Sequence, residues 1–319
     1  MTDHPSALGV RFVTVEADHH GQRIDNVLMR LLKGVPKSKI YRILRTGEVR
    51  VNRGRIAPSY RVQQGDSIRI PPLRTGGEPN AIAPPPALIQ RLQGAVLWED
   101  DAVLVVDKPA GLAVHGGSGL PFGLIEVLRA TRGQDGFLEL AHRLDRETSG
   151  CLLLAKTPAA LRALHQALRA GSLEKHYRTL LRGHWRGGTR AVAEALSKNT
   201  LRGGERMVMV SDQGKAAQTE FRCLRATATA SLMEVRIATG RTHQIRVHAA
   251  HIGYPVAGDD KYGDAAFNKR LAEYGLHRLF LHAEHIALDI EGRRLAVSAP
   301  LPIELYNVLN KIGIFYDGR

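Results

Sequence analysis

The chain has 319 residues and a mass of 35.0 kDa, which exceeds one average domain of roughly 100–200 residues and predicts about two. With 44% hydrophobic and 24% charged residues it reads as an ordinary globular protein. No apolar run approaches the roughly 20 residues of a membrane span, the start MTDHPSALGV lacks the basic and apolar regions of a secretory signal, and a cytoplasmic location is expected. Cys151 and Cys223 stand outside any CxxC pattern, so neither a disulfide framework nor a structural zinc site is implied; the net charge of +14 points to a polyanionic partner.

In chain order, residues 23–33 (RIDNVLMRLLK) place Ile24, Val27, Leu28, Leu31 and Leu32 on one helical face, with Gly34 behind them as a stop. Residues 37–46 repeat the pattern. Ile40, Ile43 and Leu44 form its apolar side, Lys37, Lys39, Arg42 and Arg45 can project outward, and Gly47 is placed to end the helix. VRVN, a turn at Arg53-Gly54 and the strand-like SIRI follow, adding Arg50 and Arg53 to the basic set. Between Arg30 and Arg61 stand ten basic residues and one acid, Glu48. A solvated face usually mixes signs, whereas one that neutralises phosphates does not, because each cation gains by displacing condensed counterions. This segment resembles the S4 RNA-binding domain in its RIDNVL start, its basic second helix and the GEVRVNR turn into a hairpin.

Residues 71–86 carry six prolines and a Gly-Gly pair, which neither a helix interior nor a central strand tolerates. The expected organisation is an S4-like domain over residues 20–72, a Pro/Gly-rich linker over 73–92 and a catalytic domain over 93–319. In the last, strand-like runs recur (VLVV at 103, CLLLA at 151, RMVMV at 206, SLMEVRIA at 231), with helical segments near 123–130, 158–169 and 303–311. Several strands follow one another without an intervening helix, so the fold class expected is α+β with a mixed, largely antiparallel sheet.

The segment AHRLDRETSG, residues 141–150, packs His, Arg, Asp, Arg and Glu between two apolar strand-like stretches. Alone it reads first as a polar turn closed by Thr148, Ser149 and Gly150. A dense charged loop leaving a buried sheet is also where a positioned carboxylate is found. The loop resembles the HRLDxxTSG catalytic loop of the RluA-type pseudouridine synthases, and other family patterns follow the expected order. They are Asp107-Lys108-Pro109-Ala110-Gly111, Lys175-His176-Tyr177, the run from Thr239 to His248 (TGRTHQIRVH), GDDKYG from Gly258 to Gly263, and Leu279-Phe280-Leu281-His282-Ala283. The likeness spans the chain from about residue 20. Within the family, the S4-like start argues against the shorter tRNA-directed members, and VHGGSG after the DKPAG turn is most like members acting on large-subunit RNA.

The resemblance implies a pseudouridine synthase fold and isomerisation of uridines in 23S ribosomal RNA or a large-subunit precursor. That reaction breaks a C–N glycosidic bond and remakes it as C–C at the same sugar carbon. There is no redox change or phosphoryl transfer, so no metal, nucleotide or other cofactor is called for. A carboxylate can attack a glycosidic centre or remove a proton while uracil departs, and Asp145 takes that role; attack on sugar, attack on base and a glycal route all stay open. The resemblance sets Arg246 against it as the cation that keeps a carboxylate ionised in a water-poor pocket. Thr242 is expected to cap a helix running to about Ile252, with Ile245, Ala249 and Ile252 on its buried side. Alternation places Lys175 and Tyr177 on one strand face. Tyr177 could stack on an extruded uracil, or its phenol could take the proton released at C5. Arg143 and Arg146 flank the nucleophile and are expected to meet RNA, as phosphate ligands or as props for the gap left by the flipped base. Lys108 is a lesser candidate for phosphate contact, and GDDKYG is read as structural.

His243, His248 and His251 cluster in sequence, but their spacing is not HExxH and the reaction needs no Lewis acid, so no metal is expected. A second reading, a non-catalytic RNA chaperone using the same basic surface, leaves the Asp, Tyr and Arg constellation without a purpose. The default oligomeric state is monomer.

Overall fold

The computed structural model describes residues 9–32, 35, 37–73, 84–116, 122–132, 136–200, 206–290 and 292–317; the side chains of Lys37, Ser38, Asn199, Thr200 and Arg206 lie outside that description. The chain divides into two units, Met1–Ala83 and Pro84–Arg319.

In the first unit, β1 (Arg11–Thr14), α1 (Ile24–Leu31), α2 (Lys37–Arg45), β2 (Arg50–Val51), β3 (Gly54–Arg55) and β4 (Ser67–Ile70) build two helices on a small antiparallel sheet of order β1-β4-β2-β3. The helical spacing brings Ile24, Val27 and Leu28 of α1 against Ile40, Ile43 and Leu44 of α2, and Val51, Ile68 and Ile70 close the same core. Gly47, at φ 73°, reverses the chain after α2. The tight turn falls one residue earlier than the sequence suggests. Asn52 and Arg53 are its two central residues, at φ 48° and 69°, the pair of left-handed conformations that joins twisted strands. Asn52 pins it by donating to Asp66 and accepting from the Ser67 N–H.

The second unit begins with α3 (Pro86–Gln93), β5 (Val96–Glu99), β6 (Val103–Lys108), α4 (Leu124–Thr131), β7 (Glu139–Leu140), β8 (Ser149–Ala155) and α5 (Pro158–Ala170). It continues with β9 (Glu174–Arg182), β10 (Arg190–Val192), β11 (Leu196–Thr200), β12 (Arg206–Val210), β13 (Thr219–Ala226) and β14 (Ala230–Ile237). α6 (Gln244–His251), α7 (Ala265–Glu273), β15 (Leu281–Ile290), β16 (Arg293–Ser298) and α8 (Ile303–Lys311) complete it. The expected linker does not extend to residue 92. Pro86 opens α3, where the missing N–H had no helical partner to lose, and Leu88, Ile89 and Leu92 pack into the main core. Residues 74–83 of the expected linker lie outside the described residues.

The main sheet runs β10-β13-β14-β9-β15-β8-β6-β5, with β16 on β15 and β7 on β8. Its strands β6 and β8 read as near-continuous apolar runs because both faces are covered. Val103, Val105, Cys151 and Leu153 face α5, whereas Leu104, Val106, Leu152 and Leu154 enter the core that holds Tyr177 and Ile245. Every strand pair is antiparallel among the described residues except β15 with β8, where His282 meets Ser149 and Ala283 meets Gly150. That junction lies directly after the 142–148 loop. It requires glycine at 150, since a Cβ there would stand 2.2 Å from the Ala283 carbonyl oxygen. The fold is thus α+β, with a largely antiparallel mixed sheet.

Candidate active site

The loop from His142 to Thr148 leaves β7 and re-enters the sheet at β8, and its shape is set by backbone groups. Thr148 N–H donates to the Asp145 carbonyl at 3.2 Å, and the Gly111 N–H donates to the Arg146 carbonyl at 2.9 Å. Arg146 returns a bond from Nε to the Gly111 carbonyl, also 2.9 Å, so the DKPAG turn and the charged loop are tied in both directions. His142 accepts from the Leu153 N–H at 3.1 Å, and burial pushes its imidazole down to about 4, so it is neutral near pH 7.

Lys108 corrects the sequence reading. Its side chain is fully buried and donates to the carbonyls of Pro109, Leu112 and Arg146 at 2.9, 2.8 and 3.0 Å, so it holds the loop and cannot reach a phosphate. Burial pushes its pKa down to about 7.

Asp145 points into a cleft of about 590 Å³, in the size range of small-molecule sites, whose lining includes Arg143, Lys175, Tyr177, His243 and Arg246. Its carboxylate is 18% exposed. Arg246 Nη1 stands 3.6 Å from Oδ2 and His243 Nε2 stands 3.9 Å from it. Arg246 itself is clamped elsewhere: Nε and Nη2 each donate to Asp259 at 2.7 Å, with the guanidinium over the Tyr262 ring. Asp259 is fully buried and also accepts from the N–H groups of Lys261 and Tyr262. Burial works against the charge of both partners. Their mutual attraction outweighs it, raising the Arg246 pKa and lowering that of Asp259. The GDDKYG segment is therefore what aims Arg246 at Asp145, a role beyond the structural turn expected of it.

α6 starts differently from the expectation. His243 is its N-cap, at φ 54° and ψ 21°, and makes no side-chain cap bond. The left-handed backbone at His243 intervenes between Thr242 and the helix. Gln244 orders the turn instead, accepting from Thr239 Oγ1 and Arg241 N–H and donating to Gln218 and Thr219. Ile245 and Ala249 are buried as expected from the helical spacing.

Tyr177 and Lys175 share the cleft face of β9 and are both buried. Burial, then the Asp145 charge, pushes the Tyr177 phenol up; burial alone pushes the Lys175 amine down. Lys175 stands on the cleft wall, and not on the outer surface where a phosphate backbone would pass. Arg143 and Arg146 are exposed, the latter also 3.5 Å from Glu147. In the first unit Arg42, Arg45, Arg50 and Arg53 are exposed and Lys39 is half-buried; the side chain of Lys37 lies outside the described residues.

The three histidines diverge. His243 meets Tyr262, His248 is buried between Thr219 and the Glu194 carbonyl, and His251 is exposed. Asp259, Tyr262 and His243 were not marked by the sequence as parts of the site. The available signal was their place in two ordered motifs.

Residues 102–251 match the RNA pseudouridylate synthase family model, and residues 22–68 match the S4 domain model. The chain is 49% identical over 306 residues to ribosomal large subunit pseudouridine synthase C of Haemophilus influenzae, covering 95% of each chain. It is likewise 49% identical over 316 residues to the protein of that name from Escherichia coli strain K12, covering 98% of each. Among solved structures, human RNA pseudouridylate synthase domain containing 4 superposes with a TM-score of 0.59 at 25% identity, over 71% of this chain and 95% of that one.

Proposed function

Because the chain belongs to the RNA pseudouridylate synthase family, in its RluA-type branch, and carries an S4 domain, we propose that it isomerises specific uridines of 23S ribosomal RNA with Asp145 as the catalytic carboxylate. One observation carries the assignment of Asp145. It is a carboxylate facing a cleft of about 590 Å³, with a guanidinium 3.6 Å away and an aromatic ring on the same wall.

The chain's own groups divide the work as follows. A uridine turned out of the RNA enters the cleft and stacks on Tyr177, leaving Arg143 and Arg146 to meet the flanking backbone or fill the vacated place. Asp145 promotes cleavage of the C1′–N1 bond. The cleft retains the detached uracil until C5 faces C1′. The new C1′–C5 bond forms, C5 loses its proton and N1 gains one, so atoms and electrons balance without an added reagent. Arg246, oriented by Asp259, supplies the positive field that favours the carboxylate while charge shifts on the sugar and base. The exposed arginines of the S4 domain supply sequence-independent attraction for phosphates. Similarity to synthases named for the ribosomal large subunit supports 23S ribosomal RNA as the substrate.

The reading is tested by carbodiimide mapping of pseudouridine across 23S ribosomal RNA from cells with and without this chain. Sites lost on deletion and restored by the wild-type chain are the expected result; an unchanged map refutes the substrate assignment.

A further inference from the structure

His243 stands between Asp145 and a hydrogen-bonded chain that the mechanism above does not use. Its Nδ1 is 2.9 Å from the Tyr262 hydroxyl, and its Nε2 faces Asp145 at 3.9 Å. The Tyr262 hydroxyl in turn accepts the Val208 backbone N–H at 2.9 Å, and Val208 belongs to the β11–β12 hairpin. Tyr262 packs with Leu196, Val208 and Val247, so its ring is fixed by the hairpin and by α6.

The proton positions follow from both ends. A carboxylate can only accept, so an attractive contact with Asp145 puts the ring proton on Nε2. Nδ1 is then an acceptor and receives a hydrogen bond from the Tyr262 O–H, whose oxygen already accepts from Val208 N–H. The two requirements agree on one neutral tautomer. Burial lowers the His243 pKa, which is consistent with a neutral ring.

The backbone supports the same reading. His243 is one of three non-glycine residues with positive φ among the described residues, and such conformations gather where the surroundings impose them for function. Arg246 approaches the Asp145 carboxylate to 3.6 Å. A movement of roughly 1 Å would bring Nε2–H into hydrogen-bond range, taking about 2.9 Å as the usual length.

We propose that His243 is a positioning residue for the isomerisation: braced by Tyr262, whose hydroxyl is held in turn by Val208 of β12, it donates Nε2–H to the Asp145 carboxylate and fixes its direction when the uridine is bound. The inference rests on Asp145 being the catalytic carboxylate, and it ties the seating of the hairpin to the orientation of that carboxylate.

The test uses the full chain and single-turnover tritium release from 23S ribosomal RNA labelled at uridine C5, with RNA affinity measured in parallel. His243→Asn tolerates the left-handed backbone and keeps a short amide beside Tyr262 but cannot reach Asp145. It is expected to fold as the wild type, bind RNA as the wild type and lose on the order of 10²-fold in rate, the loss that a misplacement of about 1 Å produces. His243→Gln, whose longer amide can donate towards the carboxylate, recovers part of that loss. Tyr262→Phe slows the reaction, and adding it to His243→Asn produces no further loss, because the two residues act as one chain. A His243→Asn rate within about twofold of wild type, or losses that multiply in the double variant, overturns the proposal. Asp145→Asn run alongside separates the failures: if it too releases tritium, the assignment of Asp145 fails first.

Discussion

Arg246 gives its two shortest hydrogen bonds, 2.7 Å each, to Asp259, while its Nη1 stands 3.6 Å from Asp145. The guanidinium is thus aimed at one carboxylate by being clamped to another. This leaves Asp145 free to approach substrate while its positive neighbour cannot turn away.

Asp259→Asn removes the charge of a fully buried carboxylate and leaves the mostly buried Arg246 guanidinium under-compensated. Breaking such a pair costs about 3–5 kcal/mol when one partner is deleted, and the amide's remaining bonds set this variant near the lower end. A urea unfolding midpoint shifted downward, with turnover falling more than RNA affinity, is the expected outcome. An unchanged midpoint would show that Asp259 does not hold Arg246 in solution.

Tyr177 stays a phenol near neutral pH, because burial and the Asp145 charge both raise its pKa. A group that does not ionise is a poor proton acceptor, so the ring should matter more than the hydroxyl. Tyr177→Phe is expected to keep most of the single-turnover rate. Tyr177→Ala should lose the stacking of one base, about 1–3 kcal/mol. Equal losses in the two variants would return the hydroxyl to the chemistry.

Gly150→Ala places a methyl 2.2 Å from the Ala283 carbonyl oxygen at a φ of 107° that side chains avoid. The β8–β15 junction must open, and the loop carrying Asp145 moves with it. A loss above about 3 kcal/mol in thermal or denaturant unfolding, together with loss of activity, is predicted. A wild-type melting curve would show that this junction is not formed as described.

A chain starting at Pro84 keeps α3 and should remain folded, while binding RNA more weakly and with a shallower salt dependence because the S4 arginines are gone. A chain starting at residue 93 or 94 also removes Leu88, Ile89 and Leu92 from the core and should be markedly less stable. Equal stability of the two truncations would contradict the packing of α3.

Much of this was legible before any coordinates. VLVV and CLLLA announce strands because β-branched and leucine runs buried on both faces carry their own signal. The charged loop at 142–148 stands out because six polar residues separate two apolar stretches. What escaped depends on chain closure. Lys108 reads as a surface cation by residue type, and only the folded turn brings three carbonyls around it. Asp259 lies 13 residues from Arg246, across a loop whose course neither helical nor strand periodicity describes. α3 was hidden by the prolines at its start, which mark a linker and a helix N-terminus equally well. Arg53-Gly54 reads as the turn because glycine is the usual residue at positive φ, whereas Asn52 and Arg53 adopt it.

The central claim is that Asp145 performs the chemistry, and Asp145→Asn in the full chain tests it most directly. Pseudouridine formation in 23S ribosomal RNA should fall to background while RNA affinity and the unfolding midpoint stay at wild-type values. Product accumulating at the normal sites with this variant would contradict the account.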